Sequence, residues 1–208
     1  MSAETIIITL RHAHTQYNAE RRYAGTIDVP LSEEGIRDAR EASAKLAVVR
    51  FDVVVTSTLK RSIETARILA GDAAPVVQNR LCNERNFGVM EGLTWDEIQS
   101  LQPPILLITV GNDLHTVNPK DGEPFEDVWE RAKRFRRFLF KEYKGSNILV
   151  ISHGVFLQMF HGVLRRLSCI ESLAVYPSNL ELSRFRFSGE RLVEEAVVKL
   201  AGAEALHW

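Results

Sequence analysis

Two arginines and two histidines lie shortly after runs of apolar, mostly β-branched residues in this sequence. Arginine binds phosphate and carboxylate groups through paired hydrogen bonds, and a neutral imidazole can act as a nucleophile or transfer a proton. If the fold brings these four side chains together, they form a site that binds an anion and can carry out chemistry on it. The four residues are Arg11, His12, Arg61 and His153.

The apolar runs before these residues have the pattern of strands that are buried on both faces of a sheet. The runs span residues 5–10, 51–56 and 147–152. Ser32 is predicted to cap a helix, and further helices are predicted over residues 59–70, 124–143 and 155–167. Strands that alternate with helices indicate an α/β fold, whose ligands bind at the carboxyl ends of the strands. We therefore expect the four side chains to share one edge of the sheet.

The C-terminal part of the chain predicts an antiparallel hairpin. Residues 181–187 and 191–199 flank the turn-like pair Ser188-Gly189. The predicted architecture is a three-layer α/β/α sandwich with a mixed, largely parallel central sheet. Residues 102–123 are rich in proline and glycine but contain an apolar run at 105–108. We expect this segment to pack on the domain as an active-site lid.

Composition limits the classes of protein to which the chain can belong. Its 208 residues, 45% hydrophobic and 25% charged, are typical of one soluble globular domain over residues 1–208, which folds without a metal. A net charge of −1 disfavours nucleic acid as a partner, and no apolar run approaches the roughly 20 residues that span a membrane. The polar start and the two cysteines, Cys82 and Cys169, predict reduced thiols in the cytoplasm. We expect no cofactor, and a homodimer is compatible with this size.

Five motifs, in order along the chain, resemble those of the histidine phosphatase superfamily, the phosphoglycerate mutase-like enzymes. Residues 11–18 are similar to RHG-x-T-x-x-N, and residues 30–35 to P-L-(S/T)-x-x-G. Residues 57–66 are similar to S-x-x-x-R-x-x-x-T-A, residues 81–92 to L-x-E-x-x-F-G-x-x-E-G, and residues 152–154 to the second histidine motif, Ser-His-Gly. The resemblance implies the phosphoglycerate mutase-like fold and the transfer of a phosphoryl group.

The resemblance also implies a role for each candidate residue. His12 would attack phosphorus to give a phosphohistidine, and Glu84 would protonate the leaving alkoxide and then activate water. Repulsion between the phosphate dianion and a carboxylate favours the protonated form that an acid needs. The groups around the phosphoryl oxygens would be Arg11, Arg61, Asn18 and His153. Further contacts to the phosphate, its loop or the rest of the substrate would come from Thr15, Gly154, Ala24 and Gly25.

Two positions depart from the first of these motifs. The usual glycine after the histidine is Ala13, whose extra methyl would either narrow the pocket or have no effect. His14 stands where an acidic or amide side chain is usual, and it could contact the substrate or the lid, act on Glu84, or be structural. His12-x-His14 also resembles the metal-binding H-x-H of zinc hydrolases, which requires further ligands on later strands. We expect no metal, because suitable further ligands are lacking.

The predicted lid favours hydrolysis over the mutase reaction. Phosphoglycerate mutases of this family carry basic residues there that bind a second anionic group, whereas residues 102–123 offer only Lys120 and His115 beside their apolar side chains. We therefore predict a phosphomonoester hydrolase that acts on a small phosphorylated metabolite with an apolar or neutral leaving group. Arg21 and Arg22 keep a cofactor-dependent phosphoglycerate mutase open as an alternative. A catalytically inactive phosphate-binding module is disfavoured, because both the nucleophile and the acid are present.

Overall fold

A computed structural model describes residues 4–111, 113–117 and 119–200 of the chain. The strands are β1 (Glu4–Arg11), β2 (Val53–Thr56), β3 (Val76–Gln78), β4 (Leu106–Val110), β5 (Asp113–Val117), β6 (Asn147–Ser152), β7 (Glu181–Ser188) and β8 (Arg191–Lys199). The α-helices are α1 (Gln16–Ala19), α2 (Glu33–Leu46), α3 (Lys60–Ala70), α4 (Trp95–Gln99), α5 (Phe125–Glu142), α6 (Gly154–Arg165) and α7 (Cys169–Ser172). Two short 3₁₀ helices span Arg80–Cys82 and Gly88–Met90.

The central sheet has six strands in the order β3-β2-β6-β1-β7-β8. Strands β3, β2, β6 and β1 run parallel to one another, whereas β7 is antiparallel to β1 and β8 is antiparallel to β7. Because the parallel strands end at the same edge, the segments that follow β1, β2 and β6 meet there. The predicted mixed, largely parallel sheet and the C-terminal hairpin are confirmed.

Apolar side chains from alternate positions of each central strand pack on opposite faces of the sheet. In β1, Ile7 belongs to the core beneath α5 and α6, whereas Ile8 and Leu10 belong to the core beneath α2 and α3. Strands that are buried on both faces need helices on both sides, so the result is three layers. The predicted α/β/α sandwich is therefore confirmed.

The long helices form where the sequence pattern predicts them. In α2, Ser32 is the N-cap, and its Oγ accepts a hydrogen bond from the backbone N–H of Gly35 at 3.0 Å. In α5, apolar residues recur every three or four positions and face the core, as an amphipathic helix requires. The observed bounds of α3, α5 and α6 lie within two residues of the predicted ones.

The insertion at residues 102–123 contains a β-hairpin that the sequence did not predict. Strands β4 and β5 pair antiparallel and form a separate two-stranded sheet. Ile108 and Val110 pack against the larger core, whereas Leu106 and Leu114 are exposed. Strand β4 thus packs against the larger core through part of its side chains, and the role of residues 102–123 as an active-site lid stays a prediction.

Neither a membrane-crossing helix nor a disulfide is present among residues 4–111, 113–117 and 119–200. The helices in these ranges are too short or too polar to cross a bilayer. Cys82 is buried, Cys169 is half-buried, and both are free thiols. Burial raises the pKa of both, to about 11 for Cys169.

His161 is a buried histidine that joins α6 to β1. Its Nε2 lies 2.7 Å from Oγ1 of Thr9, and its ring lies 5.1 Å from that of Phe185. Burial lowers its pKa to about 3, and the nearby charge of Arg165 adds to this effect. In the unfolded chain a histidine titrates near pH 6.5. Below about pH 6.5 the unfolded state therefore binds the additional proton, and the free energy of unfolding falls until about pH 3.

We expect His161→Gln to weaken the dependence of stability on pH between about pH 4.5 and 6. Glutamine keeps a hydrogen-bonding group for Thr9 but does not titrate, which removes up to about 1 kcal/mol per pH unit from the slope. Urea unfolding at several pH values measures the free energy of unfolding of both proteins. Identical slopes for the two would contradict the low pKa of His161 in the folded state.

Candidate active site

His12 follows the last residue of β1 and is buried at the carboxyl edge of the sheet. Its Nδ1 lies 2.8 Å from the carbonyl oxygen of Ala13, which can only accept a hydrogen bond. Nδ1 therefore carries the proton, and the lone pair is on Nε2. Burial lowers the pKa of His12 well below its usual value, and the positive charges of Arg61 and Arg11 lower it further. The ring is thus a neutral imidazole, the form in which histidine can act as a nucleophile.

Backbone hydrogen bonds hold His12 and Ala13 in place. The N–H of His12 donates to the carbonyl of Ser152 at 2.9 Å, and the side chain of Asn179 donates to the carbonyl of His12 at 2.7 Å. The N–H of Ala13 donates to Oγ1 of Thr65 at 3.1 Å. The methyl of Ala13 is fully buried in the core beneath α2 and α3. Alanine at this position therefore adds to the core and does not line the cavity.

Arg61 is a buried guanidinium whose hydrogen-bond acceptors are all uncharged. Its Nη2 donates to the carbonyl of Gly25 at 2.7 Å, its Nη1 to that of Ile27 at 2.9 Å, and its Nε to Nδ1 of His153 at 3.2 Å. Burial lowers its pKa, yet a guanidinium stays charged near pH 7. No carboxylate in the described chain pairs with it. A buried guanidinium with N–H groups to spare and no direct ion pair in the described chain favours binding of an anion.

His153, the N-cap of α6, lies beside His12, with the ring centroids 5.1 Å apart. Because its Nδ1 accepts from Arg61, Nε2 carries the proton and donates to Oγ of Ser57 at 2.7 Å. Burial, with the charge of Arg61, lowers the pKa of His153 well below its usual value. The structure thus places His153 behind Arg61, which it orients. A hydrogen bond from His153 to a phosphoryl oxygen would require it to leave Ser57.

Glu84 is held against the first turn of α6. Its Oε1 accepts from the N–H of Arg85 at 2.8 Å and from that of Phe156 at 3.0 Å, and its Oε2 accepts from the N–H of Val155 at 3.2 Å. The side chain is 7% exposed and lines the same cavity as His12. The first turn of α6 therefore fixes where this carboxylate meets a ligand.

Arg11 is the second cation of the site, and its partners are neutral as well. Nη1 donates to the carbonyl of Pro177 at 3.0 Å, and the guanidinium lies 5.0 Å from the ring centroid of Tyr176. Its Nε is buried without a hydrogen-bond partner in the described chain. Arg11 and Arg61 together make the site strongly attractive to an anion.

Thr15 positions Asn18. The N–H and Oγ1 of Thr15 both lie 3.0 Å from Oδ1 of Asn18, to which they donate. Because these bonds occupy the amide oxygen, the amide NH₂ of Asn18 remains to donate into the cavity that this residue lines. Thr15 itself does not line the cavity. These hydrogen bonds agree with a role for Thr15 in holding the loop, and its contact with phosphate stays a prediction.

The site is a cavity of about 370 Å³ at the carboxyl ends of the strands. Seven of the ten predicted residues line it: Arg11, His12, Asn18, Ala24, Gly25, Arg61 and Glu84. The other three, Thr15, His153 and Gly154, do not line the cavity. The structure thus brings seven of the predicted residues into one cavity, and their roles there stay predictions.

Two glycines allow close approaches around the cavity. Gly25 has a positive φ of 51°, and a Cβ there would overlap the carboxylate of Glu91. A Cβ on Gly154 would overlap the hydroxyl of Tyr176. Larger residues at these positions would displace a wall of the site.

Sequence reasoning gave no role to several residues that line the cavity: Tyr23, Arg85, Phe87, Phe125, Gln158 and Tyr176. Arg85 is fully buried, with its guanidinium 3.8 Å from the ring centroid of Phe125, and its Nη2 has no partner in the described chain. Burial lowers its pKa to about 10, so it stays charged at neutral pH. Its only sequence signal is its position next to Glu84.

The insertion supplies part of the cavity wall through β5. The lining residues from this strand are Asp113, Leu114, His115 and Thr116. Arg85 connects to this strand by donating to the carbonyl of Thr116 at 3.0 Å. The insertion itself is weakly charged, as the sequence indicated, but the cavity gains a further cation from Arg85.

His14 lies outside the cavity and contacts α2. Its Nδ1 is 3.4 Å from Oδ2 of Asp38, and both side chains are partly exposed. Its carbonyl accepts from the N–H of Ser32 at 3.0 Å. Of the roles considered for His14, this geometry agrees with the structural one. His12 and His14 do not share one site, as the H-x-H interpretation requires.

Arg22, an alternative anion-binding residue, is already held by carboxylates. Its Nε donates to Glu20 at 2.8 Å, and its Nη1 donates to Glu97 at 2.9 Å. The same Nη1 donates to the carbonyl of Gly92 at 2.8 Å. Arg22 lies in the cavity wall with its charge compensated by these carboxylates. Arg21 lines the same cavity with no ion pair in the described chain, so Arg21 and Arg85 are both better placed than Arg22 to bind a second anionic group.

The arrangement can bind a tetrahedral dianion and transfer it. Arg11, Arg61 and Asn18 present donors, His12 presents a neutral imidazole nitrogen, and Glu84 can exchange a proton in the same cavity. Positioned donors of this kind stabilise the charge that develops on a transferring phosphoryl group.

Comparisons with known proteins show which proteins this chain is similar to. The sequence model of the histidine phosphatase superfamily (branch 1) matches residues 7–199. The 2,3-bisphosphoglycerate-dependent phosphoglycerate mutase of Cytophaga hutchinsonii is 30% identical over 168 residues, which cover 78% of each chain.

Solved structures with the same fold include the YhfR protein of Bacillus stearothermophilus, 27% identical, with a TM-score of 0.79 over 91% of this chain and 94% of that one. The alpha-ribazole phosphatase from Shigella flexneri is 25% identical, with a TM-score of 0.77 over 90% of this chain and 93% of that one. The similar proteins therefore include both a mutase and a phosphatase.

Proposed function

The chain belongs to the histidine phosphatase superfamily, and we propose that it hydrolyses a small phosphorylated metabolite through a phosphohistidine at His12. The observation that carries the proposal is the state of His12. Its Nδ1 donates to the carbonyl of Ala13, its Nε2 has the lone pair, and the ring shares a cavity with the buried guanidinium of Arg61, which donates only to neutral acceptors. A neutral nucleophile beside a fixed cation suits attack on a phosphate dianion.

In the proposed reaction, Nε2 of His12 attacks phosphorus while the bond from phosphorus to the leaving oxygen breaks. Glu84 gives its proton to the leaving alkoxide, and the phosphoryl group stays on His12. The Glu84 carboxylate then takes a proton from water, which attacks phosphorus and breaks the bond to Nε2. Inorganic phosphate leaves, and His12 is neutral again. Arg11, Arg61 and the Asn18 amide stabilise the charge on the phosphoryl oxygens in both steps.

One observation favours the second candidate, a phosphoglycerate mutase. A mutase must hold an acidic leaving group long enough to return the phosphoryl group to it, and the buried Arg85 guanidinium in the same cavity could bind that group. The relative from Cytophaga hutchinsonii carries a mutase name. Hydrolysis remains our proposal because the insertion adds little positive charge of its own.

Two parallel assays on the purified protein test the proposal. The first measures inorganic phosphate released from a panel of phosphorylated metabolites, and the second measures conversion of 3- to 2-phosphoglycerate with added 2,3-bisphosphoglycerate. We expect phosphate release without conversion. Conversion faster than phosphate release would establish the mutase, and no turnover of any ester would support the inactive binding module.

We expect Arg85→Met to raise KM about tenfold or more for phosphomonoesters that carry a carboxylate on the leaving group. A hydrogen bond to a charged group contributes about 1.5–3 kcal/mol, which Met cannot supply. KM for p-nitrophenyl phosphate should change by less than about threefold. Steady-state kinetics on both ester types measures this, with Arg80→Met, an exposed arginine of the same segment, as the control. An equal rise in KM for both ester types would contradict a specific contact with the carboxylate.

A further inference from the structure

Arg131, on α5, uses all five of its N–H groups behind the cavity. Its Nε and Nη2 donate to the two carboxylate oxygens of Glu123 at 2.9 and 2.8 Å. Nη1 donates to the carbonyls of Leu81 at 2.9 Å and Asn83 at 2.7 Å, and Nη2 also contacts the carbonyl of Glu84 at 3.4 Å. The side chain is 12% exposed and does not line the cavity. Arg131 therefore contacts the main chain around Glu84 and not the cavity itself.

The carbonyls that Arg131 binds belong to one short segment, from Leu81 to Glu84. This segment runs from the 3₁₀ helix Arg80–Cys82 into a loop, whose carbonyl groups cannot be satisfied by regular secondary structure. The carboxylate of Glu84 is bound to the first turn of α6, while Arg131 binds the main chain from α5. The position of the Glu84 carboxylate is thus fixed by α6, which binds its oxygens, and by α5, which binds its main chain.

Glu123 extends the same network to the insertion, whose last residue it is. Its N–H donates to the carbonyl of Asn86 at 2.8 Å, and its carbonyl accepts from Nε of Arg85 at 2.6 Å. The Arg131–Glu123 pair therefore ties the end of the insertion to the segment around Glu84. Such an ion pair is weak evidence for a contribution to stability, because removing two charges from water offsets most of their attraction.

We propose that Arg131 is a positioning residue, which with Glu123 holds the main chain of Glu84 so that its carboxyl reaches the leaving oxygen. The inference rests on the proposed function, in which Glu84 protonates that oxygen. Lysine can replace the charge of Arg131 but has three N–H groups in place of a planar set of five. Arg131→Lys should therefore loosen the Glu84 segment while it keeps the ion pair with Glu123.

The test is kcat/KM for the hydrolysis of esters whose leaving groups differ in basicity. This quantity reports the step in which the leaving group departs, whereas kcat also contains the later attack of water, in which Glu84 acts on both ester types alike. A nitrophenolate leaves readily without a proton, whereas an alkoxide needs one, and general acid catalysis contributes about 100-fold or more. We expect Arg131→Lys to lower kcat/KM for alkyl phosphates about 10- to 100-fold and kcat/KM for p-nitrophenyl phosphate less than about threefold. Glu84→Gln should show the same selectivity with a larger loss for alkyl phosphates.

The matched control is Arg136→Lys, on the same helix. Arg136 forms an ion pair with Glu190 at 2.9 Å and makes no contact with the Glu84 segment. This variant should change neither rate. Glu123→Gln is the second variant, because it removes the charge that pairs with Arg131 and leaves Arg131 itself unchanged. It should show the same selectivity to a smaller degree. An equal loss for both ester types, or no loss in either variant, would overturn the role of Arg131. If Glu84→Gln itself shows no selectivity, the proposed acid is wrong, which is a separate failure.

Discussion

Replacement of His12 by asparagine is expected to lower kcat for phosphomonoester hydrolysis by at least about a thousandfold. The variant lacks an imidazole nitrogen to attack phosphorus, and losing the nucleophile removes the covalent route altogether. Asparagine is similar in size, and its Nδ2 can still donate to the carbonyl of Ala13, which accepts from His12 at 2.8 Å. The fold should therefore survive, so the loss reports on chemistry.

The measurement that separates this prediction from a general loss of activity is detection of the phosphoenzyme. Protein mixed with a labelled ester and quenched in alkali should retain phosphate on wild type and none on His12→Asn, because a phosphorus–nitrogen bond survives base and breaks in acid. His14→Asn is the matched control, since His14 contacts Asp38 outside the cavity. Retention of label on His12→Asn at the wild-type level would refute His12 as the nucleophile.

The parts of the fold that were predictable from sequence are those set by local patterns. The buried runs that became β1 and β6 are apolar at successive positions, because both faces of the sheet are covered by helices. The carboxyl ends of parallel strands lie at one edge, so the convergence of Arg11, His12 and Arg61 followed from the order of elements alone. The family resemblance added Glu84, whose surroundings carry no helical or strand pattern.

What could not be predicted depends on contacts between distant segments. Arg131 fits the pattern of a helix whichever way its side chain points, and its acceptors at Leu81 and Asn83 are about 50 residues away. The position of His153 behind Arg61 likewise depends on Ser57, which no motif singled out as its partner. The β4–β5 hairpin is short and half-exposed, so its alternation was hidden among proline and glycine residues.

The net charge of the sequence conceals how the charges are distributed around the cavity. The chain has 26 Lys and Arg against 27 Asp and Glu, yet the cavity is lined by the buried guanidinium groups of Arg61 and Arg85 and the partly buried one of Arg11. Their acceptors are backbone carbonyls or neutral side chains. Binding an anion offsets the cost of burying each such charge. A ligand that brings negative charge should therefore stabilise the folded protein.

Arg61→Met is expected to abolish this stabilisation by phosphate and to lower kcat/KM about 100- to 10,000-fold. Two charge-assisted hydrogen bonds at about 1.5–3 kcal/mol each account for that range. Inorganic phosphate at about 100 times its Kd stabilises a protein by about 2.7 kcal/mol, which for about 200 residues raises Tm by roughly 5–10 °C. Wild type should show this rise, and the variant should show almost none.

The basal stability of Arg61→Met is the balance of two opposing effects. Removing the guanidinium removes a desolvated charge but leaves the carbonyls of Gly25 and Ile27 without their donor, at about 1–3 kcal/mol each. The shift in Tm on adding phosphate is therefore the informative quantity, since each variant serves as its own reference. Arg67→Met, an exposed arginine of the same helix α3, should keep the full shift. A full shift in Arg61→Met as well would mean that the cations Arg11 and Arg85 bind the anion without Arg61, and the assignment of Arg61 to the phosphoryl group would be wrong.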